Sequence, residues 1–163
     1  MTGTVLSWVL VAPPAAAQNA VRMDSHVGSG AFEKGGNKCV TSRDLASVVV
    51  DDGEFAGTQF RVTTDTEGRA FFNDSRAEGD WINLAAIPYA PSCVVDAALG
   101  YTESGATPPA PKKPNSLYVD LLAANGTVYQ AVCTINKDDP FRAYNIAAFC
   151  GDRFIPVPGT PVG

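Results

Sequence analysis

The chain contains 163 residues, 45% of them hydrophobic, and it is rich in glycine (15) and proline (12). This length is typical of one domain and is sufficient to bury a core, and the composition favours strands joined by turns over long helices. The formal net charge is −5, and Lys112-Lys113 is the only adjacent basic pair in the sequence. The sequence therefore argues against nucleic acid and anionic membranes as partners.

The N-terminal segment 1–17 has two interpretations. The apolar run Thr4 to Ala12 is followed by prolines and then by Ala15-Ala16-Ala17. This order resembles a secretory signal peptide with cleavage after Ala17, although no basic residue precedes the run, which is too short to span a bilayer. Alternatively, the segment is retained as an apolar arm that contacts another subunit. The predicted assembly contacts in this arm are Val5, Leu6, Trp8, Val9 and Leu10.

Residues 18–38 are predicted to form a glycine-rich arm. It contains the only histidine of the chain, His26, which follows Asp24 and Ser25. These are the residue types of a hydrolytic triad, but a triad needs partners that reach opposite nitrogens of the imidazole from distant chain positions. We therefore expect His26 to be a loop residue that is dispensable for function, and we predict no catalytic residue.

Four segments before residue 100 are predicted to form strands or turns. Leu45 to Val50 is read as a short helix or turn that runs into a strand, since its end is β-branched. Phe60 to Phe72 alternates around the turn residues 65–68 and predicts a hairpin. Trp81 to Ile87 and Cys93 to Leu99 are apolar runs that fit strands, and the second also fits a short helix that ends at Gly100.

Residues 100–116 are predicted to form a long proline-rich surface loop. The strongest local signal follows, because Asn125-Gly126 is the preferred dipeptide of a two-residue type I′ hairpin turn. That loop length sets Val119 opposite Val132 and Ala123 opposite Val128. The residues predicted to form the buried face are Val119, Leu121, Val128 and Val132.

The C-terminal part is predicted to contain a return strand and an extended tail. Asn145 to Phe149 is read as the return strand, and residues 155–163 as a proline-punctuated tail. The central β-rich domain is therefore expected to span residues 39–154, with arms on both sides.

The four cysteines of the sequence are Cys39, Cys93, Cys133 and Cys150, and none belongs to a C-x-x-C pair. An even number without zinc-ligand spacing predicts two disulfides and an oxidising compartment. Since Cys133 and Cys150 terminate two predicted strands joined by one polar loop, the expected pairs are Cys133–Cys150 and Cys39–Cys93.

Polar and aromatic motifs give weaker signals. Acidic segments at 51–54 and 136–139 contain possible calcium ligands but do not match the twelve-residue calcium loop, and no metal or cofactor is predicted. Asn73 and Asn125 lie in glycosylation triplets. Six aromatic residues are expected to be ordinary core or sheet residues, or alternatively to form a platform that binds a glycan or a protein. They are Trp81, Tyr89, Tyr101, Tyr118, Tyr129 and Tyr144.

The sequence thus predicts a mainly β fold, a single antiparallel sandwich or barrel-like domain with at most one or two short helices. The first functional hypothesis is a non-enzymatic structural subunit of an extracellular or particle-type assembly, such as a filament, capsid or surface layer. The second is a secreted monomeric binding module for a glycan or a protein, and the third is a secreted hydrolase with unrecognised carboxylates. All three place the chain outside the cell, in the periplasm or on a particle surface.

Overall fold

The computed structural model describes residues 39–51, 53–102 and 115–161. Within these ranges the chain is mainly β, as predicted. The strands are β1 Leu45–Val49, β2 Gln59–Thr64, β3 Ala70–Asp74, β4 Ile82–Asn83, β5 Val94–Thr102, β6 Ser116–Ala123, β7 Val128–Thr134 and β8 Ile155–Pro156. One short helix, α1, spans Ile146–Phe149, and 3₁₀ turns span Gly53–Phe55 and Leu84–Ala86.

The strands form two four-stranded antiparallel sheets that follow the chain order. The first sheet has the order β1-β2-β3-β4 and the second has the order β5-β6-β7-β8. β5 packs against both β1 and β2, so the second sheet covers the inner face of the first. The chain therefore completes one sheet before it begins the other, and the predicted sandwich is confirmed.

The core lies between the two sheets and is rich in phenylalanine. Phe60 of β2 and Phe72 of β3 stack with ring centroids 6.0 Å apart, and Phe141 meets Phe72 edge-to-face at 5.3 Å. The second sheet contributes Leu117 and Leu121, which are fully buried. Burial of each such side chain stabilises the fold by about 1.5–3 kcal/mol. Because Phe141 is among the fully buried side chains, the loop that carries it is part of the core.

The β2–β3 hairpin confirms the prediction for residues 60–72, and its turn is organised by Asp65. The Asp65 Oδ1 atom accepts hydrogen bonds from the amides of Glu67 and Arg69, both at 2.9 Å, and Oδ2 accepts from Arg69 Nε at 2.6 Å. Desolvation acts to raise the pKa of Asp65, but the hydrogen bonds from Arg69 and Glu67 outweigh it and hold this pKa below its ordinary value.

The β6–β7 hairpin forms at Asn125-Gly126, but its predicted register is wrong by one residue. The Gly126 amide donates to Ala123 O at 2.9 Å. Gly126 has a positive φ, +83°, whereas Asn125 does not. This is a three-residue loop with a type I turn followed by a left-handed residue, rather than a type I′ turn. Val119 consequently lies opposite Ala131 instead of Val132.

The shifted register reverses the two faces of β7. Val119 and Leu121 are buried as predicted, whereas Val128 and Val132 are only half-buried. The side chains of β7 that enter the core are those of Ala131 and Cys133. A shift of one residue moves every side chain of a strand to the opposite face, which accounts for the whole error.

Three other secondary-structure predictions need correction. Leu45 to Val50 contains no helix, because its β-branched residues extend directly into β1. Trp81 to Ile87 forms only a two-residue strand before Asn83 accepts a hydrogen bond from the Ala85 amide and initiates a 3₁₀ turn. Asn145 to Phe149 is helical rather than extended: Asn145 precedes helix α1, and the Phe149 amide donates to Asn145 O at 3.0 Å.

The strand that does pair with β7 near the C-terminus is β8, in the segment predicted as a tail. For Cys93 to Leu99, the strand reading is confirmed, and β5 continues through Gly100.

Both predicted disulfides are present, Cys39–Cys93 and Cys133–Cys150. Their sequence separations of 54 and 17 residues correspond to stabilisation of about 4 and about 3 kcal/mol in the chain-entropy model. Cys150 ends helix α1 rather than a strand, so the second pair forms for a different reason from the one expected. Two disulfides indicate an oxidising compartment.

The first disulfide lies against the β2–β3 turn. Gly68 has φ +72°, and a Cβ atom built on it would lie 2.2 Å from Cys39 Sγ and 2.8 Å from Cys93 Cα. Only glycine therefore allows the turn to approach the disulfide this closely.

Candidate functional site

Several residues considered in the sequence analysis lie outside the described residues. These are His26 and the predicted assembly contacts Val5, Leu6, Trp8, Val9 and Leu10. The two glycosylation triplets are described. Asn125 is exposed at its hairpin turn, and its Oδ1 accepts from the Thr127 amide. Asn73 is buried, and its Nδ2 donates to Asp80 O at 2.9 Å, so the folded domain does not present this amide as a glycan acceptor.

The two acidic segments considered as possible calcium ligands contact each other through a basic side chain. Lys137 Nζ lies 3.7 Å from Glu54 Oε2, and Arg76 donates to the carbonyl oxygen of Asn136 at 2.7 Å. Within the described ranges, no group of three His, Cys, Asp or Glu side chains has the arrangement of a metal site. Glu54 pairs with Lys137, and the Asp138 amide donates to Asn136 Oδ1 at 3.0 Å.

One pair of carboxyl groups does converge, at the place where the two sheets meet. The Ala97 amide on the free edge of β5 donates to Asp96 Oδ1 at 2.7 Å and to Asp44 Oδ2 at 3.2 Å. Desolvation, together with the hydrogen bond and like charge of Asp44, raises the pKa of Asp96 above its ordinary value. The pair shares one backbone donor and so covers a β5 amide that no strand partner satisfies.

Another carboxylate, Asp74, is fully buried and connects the end of β3 to the loop that carries Phe141. It pairs with Arg76 through contacts of 2.6 to 3.2 Å, and its Oδ2 also accepts from the Phe141 amide at 3.1 Å. The Arg76 guanidinium lies 5.8 Å from the ring centroids of Phe55 and Phe60. Since every oxygen of Asp74 already accepts hydrogen bonds, this carboxylate has a structural role.

An open groove lies at the β7–β8 end of the second sheet. Its volume is about 320 Å³, and its lining residues are Tyr89, Tyr129, Arg153, Phe154, Ile155 and Pro156. The walls are mainly apolar, and Arg153 is the one charged residue among those that line it. Such a groove suits an elongated ligand or a chain segment that offers apolar area and a few acceptors.

Backbone geometry holds Tyr89 outward at this groove. Its φ of +61° is unusual for an aromatic residue, and its side chain is 76% exposed. The conformation is imposed by neighbouring hydrogen bonds, from the Phe154 amide to Pro88 O at 2.9 Å and from the Ala90 amide to Ile87 O at 3.3 Å. Because strained backbone conformations cluster at functional sites, Tyr89 is a candidate ligand contact.

The sheet edges differ in how well they are protected from pairing with another chain. β4 and β8 have two residues each, and Pro156 of β8 has no N–H to donate. β5 is interrupted by an irregularity between Val94 and Asp96, and the Ala97 amide is covered by carboxylates. β1 has five uncharged residues, and no other described strand pairs with its outer edge.

The β1 edge also carries exposed apolar side chains. Leu45 is 64% exposed and Val49 is 47% exposed, on the face of the first sheet that points away from the core. A free, uncharged edge of this kind is a site at which another strand can add.

Comparison with known proteins identifies no relative. No family model, curated protein or solved structure matches the chain. In the described part of the chain, no helix has the length and hydropathy required to cross a membrane.

The sequence alone did not reveal either surface. Of the six aromatic residues considered as a platform, the structure brings Tyr89 and Tyr129 to the groove, while exposed Trp81 and Tyr144 are not among its lining residues. The β1 edge lies in the segment Leu45 to Val50, for which the sequence predicts a short helix or turn before a strand. The uncharged run Leu45 to Val50 indicates a strand but not an edge strand, since interior and edge strands have the same local pattern.

Proposed function

We propose that the chain is a non-enzymatic structural subunit of an assembly that forms outside the cytoplasm, in an extracellular, periplasmic or particle-surface position. The observation that carries this proposal is the presence of two exposed apolar surfaces on one small sandwich. These are the β1 edge, with Leu45 and Val49, and the groove, with Tyr89 and Ile155. In a monomer these apolar surfaces remain exposed to water, which is unfavourable, whereas in an assembly the neighbouring subunits cover them.

The strand order supports the idea that the two surfaces serve different contacts. β5 is the strand of the second sheet that packs against β1 and β2, and β7 and β8 lie at the other side of that sheet. The groove and the β1 edge therefore belong to opposite sides of the sandwich. Two separate contact surfaces allow subunits to join into an extended series, while one surface gives only a closed pair.

Sedimentation velocity of the oxidised full chain over a range of concentrations tests this proposal. We expect the wild type to associate, and we expect Val49→Lys at the edge and Ile155→Lys in the groove each to reduce the size of the species. Tyr144→Lys is the matched control, because Tyr144 is 77% exposed but belongs to neither surface. A wild type that stays monomeric at every concentration would contradict the proposal.

The N-terminal segment is a further part of the same proposal. If residues 1–17 are retained in the mature protein, their apolar side chains add contacts between subunits, and deletion of the segment weakens assembly. If the truncated chain assembles as the full chain does, the segment is a processed signal peptide. Intact mass of material from the native source reports directly whether it has been removed.

A second candidate function is a binding module for a glycan or a protein, and the groove favours it. Tyr89 and Tyr129 offer aromatic surface for stacking, and Arg153 offers a donor. Under this alternative, a Tyr89→Ser variant loses binding in a glycan or peptide array, and the chain remains monomeric. Association of the wild type without ligand separates the first function from the second.

A further inference from the structure

The hydrogen bonds of β1 identify the backbone groups that point to its free edge. Asp44 O accepts from the Thr64 amide at 3.0 Å, and the Val50 amide donates to Thr58 O at 2.9 Å. Since hydrogen-bonded and non-hydrogen-bonded pairs alternate along antiparallel strands, the even-numbered residues of β1 bond to β2. The N–H and C=O groups of Leu45, Ser47 and Val49 therefore point away from β2.

We propose that this edge pairs with β1 of a second copy of the chain, antiparallel and about a two-fold axis at Ser47. In this register, Ser47 lies opposite Ser47 of the second copy, and Leu45 lies opposite Val49. All three residues with outward backbone groups then meet their counterparts in hydrogen-bonded pairs, and six backbone hydrogen bonds form. The first sheet of one copy and the first sheet of the other copy, with four strands each, become one continuous sheet.

The side chains are self-complementary in this register. On the outer face, the exposed Leu45 of each copy packs against Val49 of the other. On the inner face, Ala46 lies opposite Val48, and both residues are already partly buried. Cross-strand apolar pairs of this kind stabilise antiparallel sheets. No charged residue lies within the paired strands.

Charges at the two ends select the register. Beyond the strand ends, Arg43 of one copy lies opposite Asp51 of the other, and the two-fold axis repeats this pair at the second end. Both residues are exposed, and neither forms an ion pair with another residue in the part of the chain that is described. A slip of the axis by one position sets Arg43 opposite Val49, or Leu45 opposite Asp51, and loses both pairs.

This inference rests on the proposed function, because it assigns the partner at one of the two contact surfaces. It is tested by charge reversal in the full, oxidised chain. Arg43→Asp and Asp51→Arg each set like charges opposite one another and are expected to weaken pairing by about tenfold in the dissociation constant. The double variant R43D/D51R restores opposite charges and should recover the wild-type dissociation constant, measured by sedimentation.

Cysteine crosslinking tests the register independently. Ser47→Cys should crosslink with its own copy through a short bifunctional thiol reagent, because directly opposed residues in a hydrogen-bonded pair have Cα atoms about 5.5 Å apart. Leu45→Cys alone should not crosslink, and neither should Val49→Cys alone, but a mixture of the two variants should give the mixed dimer.

The outcomes separate the inference from the proposed function. Rescue by the double variant, together with the predicted crosslinks, supports the two-fold pairing. If the wild type associates but Ser47→Cys does not crosslink and the charge reversals have no effect, the pairing is overturned while the proposed function stands. If the wild type is monomeric at every concentration, both are overturned.

Discussion

The Asp74→Ala substitution removes a fully buried carboxylate from the junction between the first sheet and the loop before helix α1. The variant leaves the Phe141 amide without the acceptor at 3.1 Å and leaves the Arg76 guanidinium without its counter-ion. It also removes the acceptor of the Arg76 backbone amide at 3.0 Å. Three groups thus lose their partner at once, and only the exposed part of Arg76 can turn to water.

Removal of one partner from a buried ion pair costs about 3–5 kcal/mol, because the other charge remains buried without compensation. Domains of this size have a total stability of about 5–15 kcal/mol. We therefore expect Asp74→Ala to lose a large fraction of the free energy of unfolding. Urea unfolding under non-reducing conditions, followed by tryptophan fluorescence and circular dichroism, measures that loss.

Asp80→Ala is the matched control for this experiment. Asp80 also pairs with an arginine, Arg142, but the two side chains are 52% and 37% exposed. An exposed pair contributes only about 0.2–1 kcal/mol, so this variant should unfold close to the wild-type midpoint. If Asp74→Ala loses no more stability than Asp80→Ala, the role assigned to Asp74 is wrong.

Three further substitutions follow from the structure. Gly68→Ala should destabilise the fold by about 1–3 kcal/mol, seen as a lower melting temperature, because φ is +72° and the new Cβ would lie 2.2 Å from Cys39 Sγ; an unchanged melting temperature would show that the turn does not press on the disulfide. Because the pKa of Asp96 is raised, first by desolvation and then by Asp44, its ionisation costs stability as the pH rises from the ordinary value of 3.8 through the folded-state pKa. Asp96→Asn should thus be roughly 0.2–1 kcal/mol more stable than the wild type at pH 7, with a difference that disappears at more acidic pH than 3.8; a difference that does not change with pH would refute the coupling. Gly126→Val should cost about 1 kcal/mol or more in urea unfolding because φ is +83°, and wild-type stability in this variant would mean that the turn tolerates a β-branched residue.

The two long hairpins illustrate how far the sequence predicts this fold. Phe60 and Val62 alternate with polar residues and identify the buried face of β2 correctly. The same reasoning identified β6 but not the face of β7, because Asn125-Gly126 fits both a two-residue and a three-residue loop. The choice between the loops depends on contacts beyond the hairpin, such as the Ala124 amide that donates to Cys93 O at 2.9 Å.

The candidate surfaces were less predictable than the fold, for a physical reason. The groove combines Tyr89, Tyr129 and Ile155, which come from three distant parts of the sequence. The β1 edge depends on which strand has only one neighbour, and strand order is a tertiary property. Asp74 and Arg76 are close in sequence, but their role depends on the approach of Phe141, 67 residues after Asp74.

The position of the Cys39–Cys93 disulfide has a mechanical consequence. All four strands of the first sheet lie between the two cysteines, so tension on the chain from either side passes through the sulfur–sulfur bond and bypasses the sheet. If they were free, the 54 bridged residues would extend to roughly 180 Å. The disulfide prevents this extension when the chain is pulled. When the chain is pulled from residues outside this loop, the second sheet would therefore unfold first, and β1 would stay folded.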